Sequence, residues 1–291
     1  MTTAAGNARG LNLILLLTFG LMLIEWLYVR LALHDADSHD LKETTTSIVT
    51  ALGNQIIRPA TSFLVAFPLY FAYQHRLFTI PMTAWWAWVA IFFLEDLTYY
   101  LFHRLAHERR FWWASHVNHH TSQHYNLSTA VRQTWVPMTY LPFWLPLLLL
   151  GFAPWMVLLA QSWSLIYQFG LHTERIGKLP RPLEAVLNTP SHHRVHHGAN
   201  EQYLDRNYGG ILVIWDRLFR SFEPEGERVR YGLTTNIETH NVFRVAFHEY
   251  ASVWHDVRRV RGWREKWRVL LRGPGYRSPQ LTSAGERAGG P

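Results

Sequence analysis

HRLAHERRFWWASHVNHHTSQH, spanning His103–His124, is the stretch that decides the fold, because it holds six of the 17 histidines in a chain of 291 residues. Neutral imidazole is the commonest metal ligand among protein side chains, so this density indicates a metal site. His103 and His107 lie four residues apart, and the histidines at positions 116, 119 and 120 follow at spacings of three and one. On helices each set lies on one face, so we predict two helices that each present a row of imidazoles.

A second cluster, SHHRVHH at Ser191–His197, repeats the HxxHH spacing later in the chain. His192 with 196 and His193 with 197 both have the helical spacing of four, so the sequence leaves open which of the two residues binds metal. His172 follows an apolar run and is a further candidate ligand. This many imidazoles suits two metal ions with about four nitrogens each. The alternatives are surface histidines, a pH-sensing cluster or an adventitious metal-binding tract.

Charge and apolar runs together indicate a membrane protein. A net charge of +7 fits either nucleic acid or an anionic membrane surface, and the apolar runs favour the membrane over nucleic acid as partner. The predicted apolar helices are Leu11–Leu33, Ser47–Tyr73, Ile80–Phe102, Trp135–Leu150 and Phe152–Phe169. A signal peptide is the alternative interpretation of the first run, but the run is too long for one and no small-residue cleavage site follows it. Two prolines predict that the second is kinked or partly re-entrant, and Gly151 predicts that the last two form a hairpin.

The distribution of basic residues predicts the orientation. Those that flank the histidine clusters are Arg104, Arg109, Arg110, Arg132, Arg175, Lys178, Arg181 and Arg194. By the positive-inside rule they place the metal site on the cytoplasmic side. The Arg- and Trp-rich Val242–Leu271 predicts an amphipathic segment in the headgroup region. We therefore predict an all-α, multi-span membrane protein with a cytoplasmic helical cap that carries a dimetal site. Residues 1–277 would form one domain, and Ser278–Pro291 a disordered tail.

Two carboxylates, Glu95 and Asp96, interrupt the third apolar run. A carboxylate in such a run normally faces a partner or the protein interior. Asp96 lies seven residues before His103 on the same helix face, so it is a candidate to accept the second ring N–H of a ligating histidine. The alternative is a hydrated residue near the helix end.

Several kinds of redox and hydrolytic site are excluded. The chain has no cysteine, which rules out disulfides, iron–sulfur clusters and thiolate-ligated haem. It has no GxGxxG or P-loop for a nicotinamide or nucleotide, and no HExxH of the zinc proteases. Any electrons for a redox reaction must therefore come from outside this chain.

The clusters, together with Asn188-Thr189-Pro190 and with Asn207–Gly210 (NYGG) before Trp215-Asp216, resemble the fatty acid hydroxylase/sterol desaturase superfamily of membrane di-iron enzymes. Several runs, one of which contains the second cluster, are similar to its alkylglycerol monooxygenase branch. These runs are Tyr125–Gln133 (YNLSTAVRQ), His172–Glu174 (HTE), Asn188–Gly198 (NTPSHHRVHHG), Tyr231–Thr234 (YGLT) and Gly273–Gly275 (GPG).

The resemblance implies metal ligands at His103, His107, His116, His119, His120, His193, His196 and His197, with His172 and His192 as extras. It also implies a role for Glu108, which joins Asp96 as a candidate catalytic residue; the alternative for Glu108 is a solvated charge at a helix end. The implied cofactors are two iron ions, which zinc can replace, with O₂ and an external electron donor such as a reduced pterin. The implied activity is hydroxylation of a long-chain lipid from the bilayer, with cleavage of a glyceryl ether as one outcome.

Other activities fit the same residues. A sterol or fatty-acyl hydroxylase or desaturase would use the same type of site. A zinc-dependent lipid hydrolase, or a membrane protein that binds metal without catalysis, is the alternative from a different class. Imidazole binds zinc as well as iron, so the sequence does not choose the metal.

Overall fold

The computed structural model describes residues 16–34 and 39–281. Within these residues all regular secondary structure is helical, and the extended pairings are two isolated bridges, Leu187 with Leu212 and Gly198 with Tyr231. The prediction of an all-α fold is therefore confirmed for the described part of the chain.

The helices differ widely in length, and three of them together carry eight of the 17 histidines. In chain order they are α1 (residues 16–27, continued by a π-helical turn at Tyr28–Ala32), α2 (Leu41–Gln74), α3 (Trp85–Glu108), α4 (Arg110–His120), α5 (Leu127–Ala130), α6 (Leu141–Leu150), α7 (Pro154–Phe169), α8 (Arg181–Val186), α9 (Pro190–His196), α10 (Ile214–Leu218), α11 (Val242–Arg259) and α12 (Trp263–Leu271). Short 3₁₀ turns lie at Pro137–Thr139 and Glu201–Tyr203.

α2 is the one helix of the described residues that is long and apolar enough to cross a membrane. It continues through Pro59 and Pro68, so the second predicted run is an unbroken helix of 34 residues instead of a re-entrant segment. α6 and α7 are 10 and 16 residues long, fewer than the ~20 that a span needs. Residues 11–15 of the first predicted run lie outside the described part. The number of spans therefore stays a prediction.

The apolar core lies where α3 packs against the hairpin of α6 and α7. Ile91 of α3, Leu148 of α6 and Met156 of α7 are fully buried there. The predicted hairpin is confirmed, and it turns at Gly151, whose φ of 110° is a left-handed conformation that favours glycine. A Cβ at this position would also overlap the carbonyl oxygen of Phe78. This core holds the last turns of α3, and with them the first two histidines, in a fixed position.

α4 packs against both α3 and α11. Its first residue, Arg110, is fully buried and donates to Glu249, Ser252 and Asp256 of α11 at 2.6–2.8 Å. The predicted amphipathic segment is two helices, α11 and α12, separated at Gly262, whose φ is 78°. In the predicted tail, Ser278 is buried, and residues 282–291 lie outside the described part.

Candidate metal centre

Nine histidines from four parts of the chain meet in one buried site. α3 supplies His103 and His107, and α4 supplies the three histidines of the HxxHH cluster. His172 lies just after α7. His193 and His196 lie on α9, and His197 is its C-cap residue. All nine are buried except His116, which is half-buried.

The nine rings divide into two adjacent groups. One group is His103, His107, His116, His120 and His196; the other is His119, His172, His193 and His197. Within each group one ring nitrogen per residue lies within 4.8 Å of all the others. Sequence neighbours such as His119 and His120 belong to different groups because successive residues of a helix point about 100° apart. The geometry is therefore that of two neighbouring metal positions.

Distances between the nitrogens fit ligands of a common ion. The Nε2 atom of His116 lies 2.9 Å from that of His103 and 3.1 Å from that of His120. In the second group, the Nε2 atom of His172 lies 3.1 Å from those of His119 and His193. Two nitrogens bound at right angles to one ion at ~2.1 Å would lie ~3 Å apart.

Backbone carbonyls determine which ring nitrogen is available in three of the histidines. The Nδ1 atoms of His103, His172 and His196 lie 2.8–3.0 Å from the carbonyl oxygens of Tyr208, Gln168 and Arg206. A carbonyl can only accept, so each Nδ1 carries the proton and each Nε2 keeps its lone pair. Such contacts fix the orientation of metal-binding histidines. In His172, for example, the lone pair points into the second group.

The environment keeps these imidazoles neutral. Burial lowers the pKa of His172 and of His196 to about 4. Burial, and then the neighbouring imidazoles, hold the pKa of the other seven well below the ordinary value of histidine. The Nε2 atoms of His107, His196 and His197 are buried without a hydrogen-bond partner. Each such atom costs about 1–3 kcal/mol, so the residues present fit a bound cation that would take up their lone pairs.

His192 lies outside both groups. Its Nε2 lies 2.9 Å from the Oε2 of Glu184, which also accepts a hydrogen bond from Ser191. The structure brings His193, and not His192, into the cluster, where it lies with His197 one helical turn away; that His193 is the ligand stays a prediction. The sequence could not decide this because both pairs have the same spacing.

The expected contact between Asp96 and a histidine ring is wrong, because the loop that follows α9 lies between them. Seven residues of helix rise ~10.5 Å, too far for direct contact. Asp96 instead accepts hydrogen bonds from the backbone N–H of Ile211 and Leu212 at 2.7 and 3.2 Å, and from the indole of Trp215 at 2.8 Å. Asp96 therefore holds the loop whose Tyr208 carbonyl contacts His103, and does not contact a histidine ring itself.

Glu108 also lies outside both groups of histidines. It forms an ion pair with Arg104 at 2.8 Å and is one-third exposed, as expected of a charge at the end of a helix. No hydrogen bond or ion pair joins it to a clustered histidine in the described residues. A catalytic role for Glu108 or Asp96 stays a prediction.

The NYGG loop is a support of the site that the sequence alone did not explain. Asp216 accepts the backbone N–H of Tyr208 and Gly209, each at 2.8 Å, and the hydroxyl of Ser221 at 2.7 Å. The Tyr208 carbonyl, held in this way, accepts the Nδ1–H of His103. A Cβ on Gly209 would lie 2.5 Å from the Leu212 carbonyl oxygen, so only glycine allows the loop to close this tightly. The signal in the sequence was the Trp215-Asp216 pair after the glycines.

A second support holds the other end of α4. Arg132 is fully buried and donates to the carboxylate of Glu43 at 2.6 Å, to its carbonyl at 3.0 Å and to the hydroxyls of Ser47 and Thr121 at 3.1 and 3.0 Å. Thr121 directly follows the last histidine of α4. Arg132, Arg110 and Arg194, which the predicted orientation counted among the basic residues that flank the histidine clusters, are thus buried in ion pairs. The orientation itself stays a prediction.

Comparisons with known proteins find a matching family model and several similar proteins. Residues 88–221 match the family model described as fatty acid hydroxylase. The human alkylglycerol monooxygenase is 44% identical over 209 residues, 72% of this chain and 46% of that protein. The Xenopus tropicalis alkylglycerol monooxygenase is 42% identical over 219 residues, 73% of this chain and 47% of that protein. The Rhizobium tropici ornithine lipid hydroxylase OlsE is 31% identical over 157 residues, 50% of this chain and 44% of that protein.

The chain therefore spans about half the length of the curated relatives that it matches. No solved structure matches it. The resemblance seen in the sequence is confirmed by the family model and by these relatives.

Proposed function

Because residues 88–221 match the fatty acid hydroxylase family model, we propose that this chain is a membrane di-iron monooxygenase that hydroxylates a C–H bond of a long-chain lipid. The observation that carries the proposal is the meeting of nine histidines in two adjacent groups that each suit one metal ion. The names of the relatives support a lipid substrate, since both alkylglycerol and ornithine lipid carry long chains. The chain is more nearly identical to the human alkylglycerol monooxygenase, at 44%, than to the ornithine lipid hydroxylase, at 31%. We therefore propose a glyceryl ether as the substrate.

The residues that would hold the two ions are the five histidines of the first group and the four of the second. When bound, iron would supply the reduction of O₂ that the oxidation of an unactivated C–H bond requires. One oxygen atom would enter the lipid and the other would leave as water, which consumes two electrons and two protons. Hydroxylation of the carbon next to an ether oxygen gives a hemiacetal, which breaks into an aldehyde and a glycerol derivative.

The chain's own contribution is to hold neutral nitrogen ligands in a dry, fixed site. The low pKa of His172 and His196 keeps both rings in the ligand form at any pH well above about 4. The carbonyls of Tyr208, Gln168 and Arg206 hold three rings in the orientation that presents Nε2. Burial of the cluster limits access of bulk water.

The electrons must come from a separate donor, because the sequence has no nucleotide or iron–sulfur motif. We propose a reduced pterin, on the basis of the likeness to alkylglycerol monooxygenases. We also propose that the chain is an integral membrane protein with its metal site on the cytoplasmic side. The apolar helix α2 supports membrane insertion.

The decisive assay uses full-length protein in lipid nanodiscs, loaded with iron, supplied with ¹⁸O₂ and tested in parallel with a reduced pterin or a chemical reductant. An alkylglycerol, a free fatty acid and a sterol are the parallel substrates. We expect aldehyde only from the alkylglycerol, with ¹⁸O uptake. Product from the acid or sterol alone would overturn the ether assignment. Ester hydrolysis by zinc-loaded protein without O₂, and no oxidation by iron-loaded protein, would identify a hydrolase instead.

Matched histidine variants connect the activity to the cluster. His119→Ala removes a ligand of the second group and should abolish turnover and lower the metal content. His255→Ala is the control. His255 is exposed on α11, belongs to neither group of histidines and contacts Arg259. Full activity in His119→Ala would show that the cluster does not carry the reaction.

A further inference from the structure

A groove outside the histidine site lies between the end of α3, the start of α4 and α12. It encloses about 550 Å³ and is lined by two leucines and by Arg109, Trp112, Arg264, Trp267, Arg268 and Arg272. Arginine and tryptophan therefore form most of its wall. Nothing in the proposed reaction uses these side chains.

The groove concentrates positive charge that the protein does not neutralise. Arg268 pairs with Glu265 at 3.1 Å. Arg109, Arg264 and Arg272 have no carboxylate partner within residues 16–34 and 39–281. Like charges brought together in this way repel one another, and an anion between them would relieve the repulsion. Guanidinium groups match phosphate in particular, because they donate parallel hydrogen bonds to its oxygens.

The remaining wall is apolar and points to an anion that carries a tail. Trp112 donates its indole N–H to the Thr139 carbonyl at 2.9 Å, so its ring is fixed and leaves only apolar surface for a ligand. Trp267 is 52% exposed and Leu271 is 40% exposed. Exposed tryptophans next to arginines are typical of segments that lie at a lipid headgroup. A free anion would contact the arginines and leave the apolar surfaces of the two tryptophans uncovered.

We propose that this groove binds an anionic phospholipid, with the phosphate between Arg109, Arg264 and Arg272 and the start of an acyl chain along Trp112 and Trp267. An acidic protein is the less suitable occupant, because carboxylate side chains would not cover the apolar surfaces of Trp112 and Trp267. The backbone N–H of Arg110 donates to the Arg272 carbonyl at 2.9 Å, which ties the groove to the first turn of α4. The bound lipid would hold α12 against the helix that carries three of the clustered histidines.

The test measures binding to the full chain in a nonionic detergent by calorimetry, so its result does not depend on enzymatic activity. The probes are dihexanoyl phosphatidic acid, dihexanoyl phosphatidylcholine, inorganic phosphate and an octaglutamate peptide. The test variant is Arg264→Gln with Arg272→Gln. The control is Arg228→Gln with Arg230→Gln, which removes the same charge from exposed side chains outside the groove.

We expect phosphatidic acid to bind at least tenfold more tightly than each of the other three probes. The test variant should weaken it by about tenfold or more, as the loss of charge-assisted contacts predicts, and the control by less than about twofold. If both variants weakened the binding of phosphatidic acid equally, the lipid would respond to the overall positive charge and not to a site in the groove. If inorganic phosphate bound as tightly as phosphatidic acid, the acyl chains would contribute nothing to binding. If octaglutamate bound more tightly than phosphatidic acid, the partner would be an acidic protein. Each result overturns the proposal. If the double variant unfolds, the single Arg264→Gln on the exposed face of α12 takes its place.

Discussion

Replacing Arg132 by methionine tests whether the ion pair with Glu43 holds α4 and its histidines in place. Arg132 is 1% exposed and makes four hydrogen bonds, two of them to Glu43. Methionine has a similar length but carries no charge, so the Glu43 carboxylate keeps only the Ser122 hydroxyl at 3.2 Å and the more distant His240 ring at 3.8 Å. Loss of one partner of a buried ion pair costs about 3–5 kcal/mol. For a chain of this size each kcal/mol lowers the melting temperature by about 2–4 °C, so we expect a fall of at least about 6 °C.

The assay is thermal unfolding of the purified protein in detergent, with metal content measured in parallel. Arg228→Met is the control, because Arg228 is exposed and should change stability by less than about 0.5 kcal/mol. The double variant with Glu43→Gln removes both charges and should be less destabilised than the sum of the two single variants. The metal content of Arg132→Met should also fall, since Thr121 follows His120. A melting temperature within 2 °C of the control would refute the role of this ion pair.

Three further predictions concern the metal ligands, the loop and the orientation. His193→Ala should lower the metal content measured by mass spectrometry, whereas His192→Ala should leave it unchanged; equal loss in both would contradict the assignment of His193. Gly209→Ala should destabilise the protein by about 1–3 kcal/mol in thermal unfolding, because its Cβ would lie 2.5 Å from a carbonyl oxygen; unchanged stability would show that the loop can relax. Reporter fusions after Leu105 and after Gly275 should both be cytoplasmic, and export of either would reverse the predicted orientation.

Local spacing in the sequence was sufficient to find most of the site. The histidines of α3 and α4 were found because residues three and four apart share a helix face, whatever the helix packs against. The same rule predicted the helix that carries His193 and His196. The chemistry of imidazole then predicted a metal site with two positions.

The sequence by itself determined the all-α class, the hairpin at Gly151 and most of the residues of the histidine cluster. Only the tertiary structure decided how the nine rings divide between two groups, since that depends on the angles at which α3, α4 and α9 meet. It also decided that His193 joins the site and His192 does not, and that a loop separates Asp96 from His103. The sequence likewise did not predict the burial of Arg132 and Arg110, because their partners are distant in the chain. Periodicity reports which face of a helix a residue occupies, but the partner of that face is set by contacts between residues far apart in sequence.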